Sequence, residues 1–382
     1  MDRIYLDHAA TTPIRPYAIR AMENVMENFY GNPSAQYESA REAKAIVESA
    51  RNKVAKAIHA SADEIFFTSC GTESNNWVLR SFTAINGKSN ILTTPVEHHA
   101  VLHTCESLKA QGMNTDFFKV DEYGKILISG SNEKLFDQCG LVSVMSANNE
   151  LGTLEPISQV AEKAHRYGAL FHTDAVQAVG HIPVDVRDSE VDFLSMSAHK
   201  FGGPKGIGAL YIRKGTRLKP FITGGEQERE KRAGTESTVL IAGMGAAIEE
   251  AIKDMPIISE HILSLQNELR IGIKTNFPFA QINTSENDSL PGLLNVSFIG
   301  YQSRMVLALL DMNGVEVSAG SACTAGSASP SHVLLATGHD FASTESAIRF
   351  IIGHENTMAQ MHHTIEVLKN AFHTISGAEI TF

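Results

Sequence analysis

Short apolar runs alternate with stretches of helical period along the first two thirds of the chain. The apolar runs predict buried strands at residues 65–69, 91–93, 141–145, 170–172, 191–194 and 208–212. Apolar residues at helical spacing lie between them and also precede them at residues 16–30, where Pro16 suits a first helical turn. Strands without a polar face that alternate with helices are typical of a mainly parallel sheet covered on both sides. This part of the chain is therefore predicted to be α/β.

The pattern changes near residues 254–256. Longer helical stretches follow, with short strands at 294–298 and 315–317 and a final helix through Ile365 and Leu368. This order indicates a smaller α+β domain. We predict a large domain at residues 13–255, and a small domain formed by residues 1–12 together with 256–382.

Composition narrows the class of protein. The 382 residues carry a net charge of −11, which argues against binding to nucleic acid. The four cysteines are too widely spaced for a zinc site or a disulfide framework, so a reducing compartment is favoured. Residues 1–7 carry no secretory signal, and no apolar stretch is long enough to span a bilayer. We expect a cytoplasmic protein without a metal site, since the pairs 98–99 and 362–363 are adjacent histidines that point apart on a helix.

Polar residues follow the predicted strands where ligands bind to open parallel sheets, at the carboxyl ends. In chain order they are Gly71 and Thr72, His98, residues 148–149, Asp174 with Gln177, and residues 197–200.

A glycine at a helix N-terminus suits a phosphate, a carboxylate can hold a pyridinium, and a desolvated lysine can form a Schiff base. Taken alone, Thr72 and Asp174 are better explained as helix caps, and a single lysine as a solvated side chain. The ordered set, however, contains every part that a site for pyridoxal 5′-phosphate (PLP) requires. We therefore predict that Lys200 carries PLP as a Schiff base.

Over nearly its whole length the chain resembles the cysteine desulfurases, a branch of the class V aminotransferases within the fold type I PLP enzymes. The stretches that carry the resemblance are YLDHAATTP (5–13), GNPS (31–34), GTESNN (71–76), EHHAV (97–101), NNE (148–150), DAVQ (174–177), SAHK (197–200) and GSAC (320–323). The resemblance implies the fold type I architecture and conversion of L-cysteine to L-alanine. It also implies a homodimer and a persulfide that is passed to a sulfur acceptor.

The resemblance further implies a role for each matching residue. Lys200 would hold PLP, Asp174 would pair with the pyridine nitrogen, and His98 would stack on the ring and move protons. The other cofactor contacts implied are Gly71, Thr72, Asn149, Gln177, Ser197, His199 and, from the other subunit, Thr235. Asn149 and Arg349 would bind the substrate, with Arg349 holding its carboxylate as a bidentate fork.

Cys323 lies in a stretch of mostly small residues, 318–330. A loop of this composition packs little and can move, which suits a nucleophile that takes up sulfur and hands it on. Its length and sequence resemble the group I desulfurases (the NifS/IscS type), which implies that Cys323 is the catalytic cysteine. A buried structural cysteine is the alternative. For Cys70, Cys105 and Cys139 the structural interpretation is favoured.

The chain also departs from the family pattern. Cys70, Glu226 and Glu230 stand where glycines are usual, Ala233 replaces a serine, and residues 351–354 differ. None of these changes removes a catalytic group.

Three other functions stay open: a selenocysteine lyase, a class V aminotransferase, and a silent homologue that serves as a scaffold in sulfur assembly. Cys323 argues against simple transamination, and the intact catalytic set argues against the scaffold. The acceptor, an iron–sulfur scaffold or a tRNA-thiolation enzyme, is not specified by the sequence.

Overall fold

The computed structural model describes residues 3–83, 87–320 and 330–378. Its largest sheet is built from β2 (Ile65–Thr68), β3 (Asn90–Thr93), β4 (Thr115–Phe117), β5 (Cys139–Ser143), β6 (Leu170–Asp174), β7 (Phe193–Ser197) and β8 (Gly208–Ile212). The order of these seven strands is β2-β8-β7-β6-β5-β3-β4. Only β8 runs antiparallel to its neighbours in this sheet. The predicted α/β fold with a mainly parallel sheet is confirmed.

Helices connect and cover these strands. They are α1 (Pro16–Asn28), α2 (Glu38–Ala57), α3 (Gly71–Ser81), α4 (His99–Lys109), α5 (Ile157–Arg166) and the short α6 (Gln227–Glu230). On α2, Ala40, Ala43, Val47 and Ala50 are all buried, and their spacing of three and four residues places them on the face that packs into the core.

The last third of the chain forms a second group of elements. These are α8 (Ser303–Met312), α9 (His332–Ala336), α10 (Phe341–Glu345), α11 (Met358–Ala378) and an antiparallel sheet of β9 (Ala280–Ile282), β10 (Leu293–Phe298) and β12 (Ala347–Ile351). The N-terminal strand β1 (Ile4–Tyr5) joins this group by pairing with β11 (Val315–Glu316). A separate apolar cluster that contains Ile4, Leu6 and Phe298 fills its interior.

One long helix, α7 (Thr238–Asn276), crosses the domain boundary predicted near residue 255. Its first half buries Ile241 and Met244 in the main core, and its second half buries Leu265 and Leu269 in the second cluster. Pro256 lies inside the helix without ending it. The change of pattern in the sequence therefore marks a change of packing partner within one element. The assignment of residues 13–255 and 256–382 to two domains stays a prediction.

Two predicted strands are displaced: the run expected at 141–145 is observed two residues earlier, as β5. The run expected at 191–194 begins at Phe193, because the Asp192 carboxylate turns back to accept a hydrogen bond from the Phe171 backbone N–H at 2.8 Å. Within the described ranges, no helix is both long and apolar enough to cross a lipid bilayer.

Candidate active site

The predicted phosphate turn lies where β2 leads into α3. A Cβ on Gly71 would come within 2.5 Å of a Val176 methyl carbon, so glycine lets the start of the helix approach the turn after β6, with the Ser197 Cβ in ordinary contact at 3.7 Å. Ser197 Oγ is buried and has no hydrogen-bond partner among the described residues. Thr72 is exposed in the first turn of α3. An unpaired hydroxyl beside the free N–H groups of a helix N-terminus fits a phosphate.

Asp174 ends β6 and is 5% exposed. Its carboxylate accepts hydrogen bonds from Asn75 Nδ2 at 2.6 Å and from the Val176 backbone N–H at 3.0 Å. The donors come from α3 and from the turn after β6, so they fix the carboxylate in one orientation. A carboxylate held in this way suits a pyridinium N–H.

Lys200 ends a short helical turn directly after β7. Its Nζ donates to the carbonyl oxygens of Ala9 and Ala10, the latter at 2.9 Å. Gln177 Nε2 donates to the same Ala9 oxygen at 3.0 Å. His199 Nδ1 lies 3.2 Å from the Thr11 hydroxyl. The N-terminal segment therefore lies against Lys200, Gln177 and His199.

His98 caps the N-terminus of α4. Its Nδ1 accepts a hydrogen bond from the Ala100 backbone N–H at 3.0 Å, so a neutral ring carries its proton on Nε2. Burial lowers the pKa of His98; Lys200 and His332 lower it further, and Asp174 opposes them. The ring is therefore neutral near pH 7, with its proton on Nε2.

Arg349 lies on β12 and is only 1% exposed. Its Nη2 donates to Asp7 Oδ1 at 2.7 Å and its Nη1 to the Asn149 carbonyl oxygen at 2.8 Å. Nε is buried and has no acceptor among the described residues. The buried Nε–H is therefore a donor that the fork predicted for a carboxylate can use.

Thr235 is exposed on the loop that precedes α7. This loop is tied to α3 by Arg232, which donates to the two Glu73 oxygens at 2.8 and 3.1 Å. Glu73 also accepts from the Ser69 backbone N–H at 2.7 Å. Contact of Thr235 with the phosphate of another subunit stays a prediction.

The same loop contains left-handed backbone at residues with side chains. Glu228, Arg229 and Glu230 have φ of +48°, +57° and +64°. Glu228 is held there by a buried bidentate pair with Arg51, both hydrogen bonds being 2.8 Å long. Of the two glycine replacements in this loop, Glu230 takes a strained φ, whereas Glu226 has an ordinary φ of −85°.

The cysteines differ in accessibility. Cys105 and Cys139 are buried, and burial raises the pKa of Cys105 to about 11 and that of Cys139 to about 12. Both are therefore protonated at neutral pH and unreactive. Cys70 is half-buried before α3. Cys323 belongs to residues 321–329, outside the described part of the chain.

The side chains of Asp7, Thr11 and Asn75 bind predicted site residues, and none of the three had a role assigned from the sequence. All of them lie within stretches that carry the family resemblance. Asn75 follows Gly71 by four residues on a predicted helix, which places both on one face, and that spacing was the available signal.

Comparisons with known proteins identify the family. The model of the aminotransferase class-V family matches residues 4–363. A protein named cysteine desulfurase IscS from Clostridium botulinum is 43% identical over 370 residues, which cover 96% of this chain and 93% of that protein. A solved NifS-like protein superposes with a TM-score of 0.90 at 36% identity, covering 97% of this chain and 100% of that one. SspA, solved in complex with cysteine, gives 0.78 at 31% identity, covering 93% and 100%.

Proposed function

The chain belongs to the class-V aminotransferase family, and we propose that it is a PLP-dependent cysteine desulfurase that forms a persulfide on Cys323. One structural observation carries the proposal. Asp174 and Lys200 follow adjacent strands, with the unpaired Ser197 hydroxyl beside the N-terminus of α3. The relative named a cysteine desulfurase and the neighbour solved with cysteine support L-cysteine as the substrate.

The residues at this edge of the sheet fit PLP. Lys200 would hold it covalently, Asp174 would bind the pyridine nitrogen, and Ser197 with the α3 N-terminus would bind the phosphate. When bound, PLP supplies an electron sink that lowers the barrier to removing the Cα proton of an amino acid. His98 and Gln177 complete the proposed contacts with the ring.

Substrate orientation falls to Arg349 and Asn149. The guanidinium is buried and fixed by Asp7 and by the Asn149 carbonyl, so it meets a carboxylate without further ordering. Its Nε, which lacks an acceptor among the described residues, would donate to one oxygen of the L-cysteine carboxylate. This interaction would orient the substrate thiol for reaction with Cys323.

Proton transfers are assigned to two groups. Lys200 Nζ would take the substrate Cα proton. His98 would act as a proton donor through Nε2, since its Nδ1 accepts the Ala100 N–H. The Cys323 thiolate would then attack the substrate sulfur, forming an S–S bond as the C–S bond breaks. The electron pair of the C–S bond stays with the substrate Cβ, which is protonated to give alanine. Enzyme thiol plus cysteine thus gives enzyme persulfide plus alanine, without an external oxidant or reductant.

The proposal is tested with purified enzyme, L-cysteine and a reductant that releases sulfide. We expect equal amounts of alanine and sulfide, and a visible absorbance band of bound PLP. Lys200→Ala should remove both the band and turnover. Lys205→Ala is the matched control, since Lys205 is an exposed lysine five residues away whose replacement should change neither the band nor turnover.

Three outcomes would contradict the proposal. Absence of the band in the parent would favour the scaffold, and amino-group transfer to a keto acid without sulfide would favour an aminotransferase. A Lys200→Ala enzyme that retains the parent rate would show that the lysine is misassigned.

We further propose a homodimer in which Thr235 contacts the phosphate bound by the other subunit, because the loop that carries Thr235 is exposed and tied to α3 through Glu73 and Arg232. Cys105 and Cys139 are buried thiols that are not joined in a disulfide, which suits the reducing cytoplasm. The persulfide would be passed to an acceptor protein, either an iron–sulfur scaffold or a tRNA-thiolation enzyme.

A further inference from the structure

Glu150 is a fully buried acidic residue to which the proposed reaction assigns no role. It lies in the turn after β5, beside Asn149, and its side chain is 0% exposed. Its backbone is fixed on both sides: the N–H donates to Asn148 Oδ1 at 2.9 Å, and the carbonyl accepts from Asn295 Nδ2 at 3.1 Å. The carboxyl group therefore occupies a set position.

That carboxyl group binds Ser331, just after residues 321–329, and lies close to Gly320, just before them. On the far side, the Ser331 hydroxyl donates to Glu150 Oε2 and itself accepts the Leu334 backbone N–H at 3.2 Å, which caps α9. On the near side, Gly320 has φ +64°, and a Cβ there would lie 3.2 Å from Glu150 Oε2. The chain thus enters and leaves this segment against one carboxyl group.

The same region is connected to the proposed substrate site. Ser318 pairs with Arg349 through backbone hydrogen bonds, the Arg349 N–H donating at 2.6 Å. The Arg349 side chain in turn donates to the carbonyl of Asn149, the neighbour of Glu150. Glu150 therefore joins both ends of the 321–329 segment to the residues that would hold the substrate.

We propose that Glu150 is a positioning residue for sulfur transfer, fixing Gly320 and Ser331 relative to Arg349 and Asn149 so that Cys323 meets the substrate sulfur. The inference rests on the proposed function, in which Cys323 receives the sulfur. It concerns the transfer step, because the Glu150 carboxyl group binds Ser331, whereas Lys200, Asp174 and Ser197 lie outside its hydrogen bonds among the described residues. Loss of Glu150 should therefore slow transfer and leave cofactor and substrate binding unchanged.

Two variants test this in the PLP-loaded enzyme. Glu150→Gln removes the charge, and Ser331→Asp keeps an acceptor for the Leu334 N–H but places a second carboxylate against Glu150. Sulfur on Cys323 is followed by mass spectrometry in a single turnover with L-cysteine. We expect loading to slow about tenfold or more in both variants, the range set by a hydrogen bond to a charged group. The KM for L-cysteine and the PLP content should stay within about twofold of the parent.

Two control variants separate positioning from general damage. Ser331→Thr keeps the hydroxyl and should load at the parent rate. Asp340→Ala removes the cap of the neighbouring α10, where Asp340 accepts the Ser343 N–H at 2.7 Å, and should also load normally.

The inference is overturned if Glu150→Gln and Ser331→Asp load Cys323 at the parent rate, if Asp340→Ala is equally slow, or if the slow variants have lost PLP. If the parent enzyme itself places no sulfur on Cys323, the proposed function fails, and this inference fails with it.

Discussion

Replacing Arg349 by lysine tests how the substrate carboxylate is held. In the structure the guanidinium makes hydrogen bonds of 2.7 Å to Asp7 and 2.8 Å to the Asn149 carbonyl, and Nε has no acceptor among the described residues. A lysine keeps the charge, but its single ammonium nitrogen lacks the planar array of donors with which the guanidinium meets Asp7, the Asn149 carbonyl and a carboxylate at once. The fork toward the substrate would therefore be lost while the net charge is unchanged.

The size of the effect follows from the contact removed. A hydrogen bond between charged groups contributes about 1.5–3 kcal/mol, so losing one lowers kcat/KM for L-cysteine by about 10- to 150-fold. Most of the loss should appear in KM, because the contact holds the substrate carboxylate before and during the reaction. The visible band of bound PLP should not change, since no residue assigned to the cofactor is altered.

The assay is steady-state alanine formation with L-cysteine and with L-cysteine methyl ester, which lacks the carboxylate. Arg349→Lys should be impaired on L-cysteine but should lose little further activity on the ester. Arg213→Lys is the control: its side chain is 30% exposed and lies 3.9 Å from Asp192, so activity should stay within about twofold of the parent. Equal losses on both substrates, or kcat/KM within about twofold of the parent on L-cysteine, would refute the assignment.

Three further predictions concern stability and thiol reactivity. Glu230→Gly should stabilise the protein by about 0.5–1 kcal/mol in urea unfolding because it removes a side chain at φ +64°, whereas Glu226→Gly, at φ −85°, should not; equal effects would contradict the strain. Burial lowers the pKa of His172 from 6.5 to about 3, so below pH 6.5 only the unfolded chain is protonated and stability falls as the pH falls. Between about pH 7.5 and about pH 5.5, the free energy of unfolding of His172→Gln should therefore fall by about 1.4 kcal/mol less than that of the parent. An unchanged pH dependence would argue against a neutral, buried ring. Cys105→Ala and Cys139→Ala should leave sulfur loading intact, since both thiols stay protonated; loss of loading in either variant would contradict this.

Local pattern was sufficient to predict much of the fold. Apolar runs located the strands, and residues at their carboxyl ends marked one edge of the sheet, because side-chain burial and strand direction follow from local sequence. The run through Pro256 was harder to interpret, since one helix changes its packing partner there without ending.

The partners of the candidate site residues could not be predicted in the same way. Asp7 binds Arg349 across 342 positions of the chain, and Asn75 binds Asp174 across 99. Such pairs depend on tertiary contacts, which leave no pattern of spacing in the local sequence. The left-handed backbone at Glu230 could not be predicted either, since left-handed φ is typical of glycine and the chain has a glutamate there.

Mass spectrometry of the parent enzyme after brief exposure to L-cysteine, with peptide mapping, is the most direct test of the proposed function. The account predicts one added sulfur atom on the peptide that contains Cys323, none on those that contain Cys70, Cys105 or Cys139, and loss of the added sulfur in Cys323→Ser although PLP remains bound. Added sulfur on any of the other three cysteines, or turnover to alanine and sulfide that persists in Cys323→Ser at the parent rate, would contradict it.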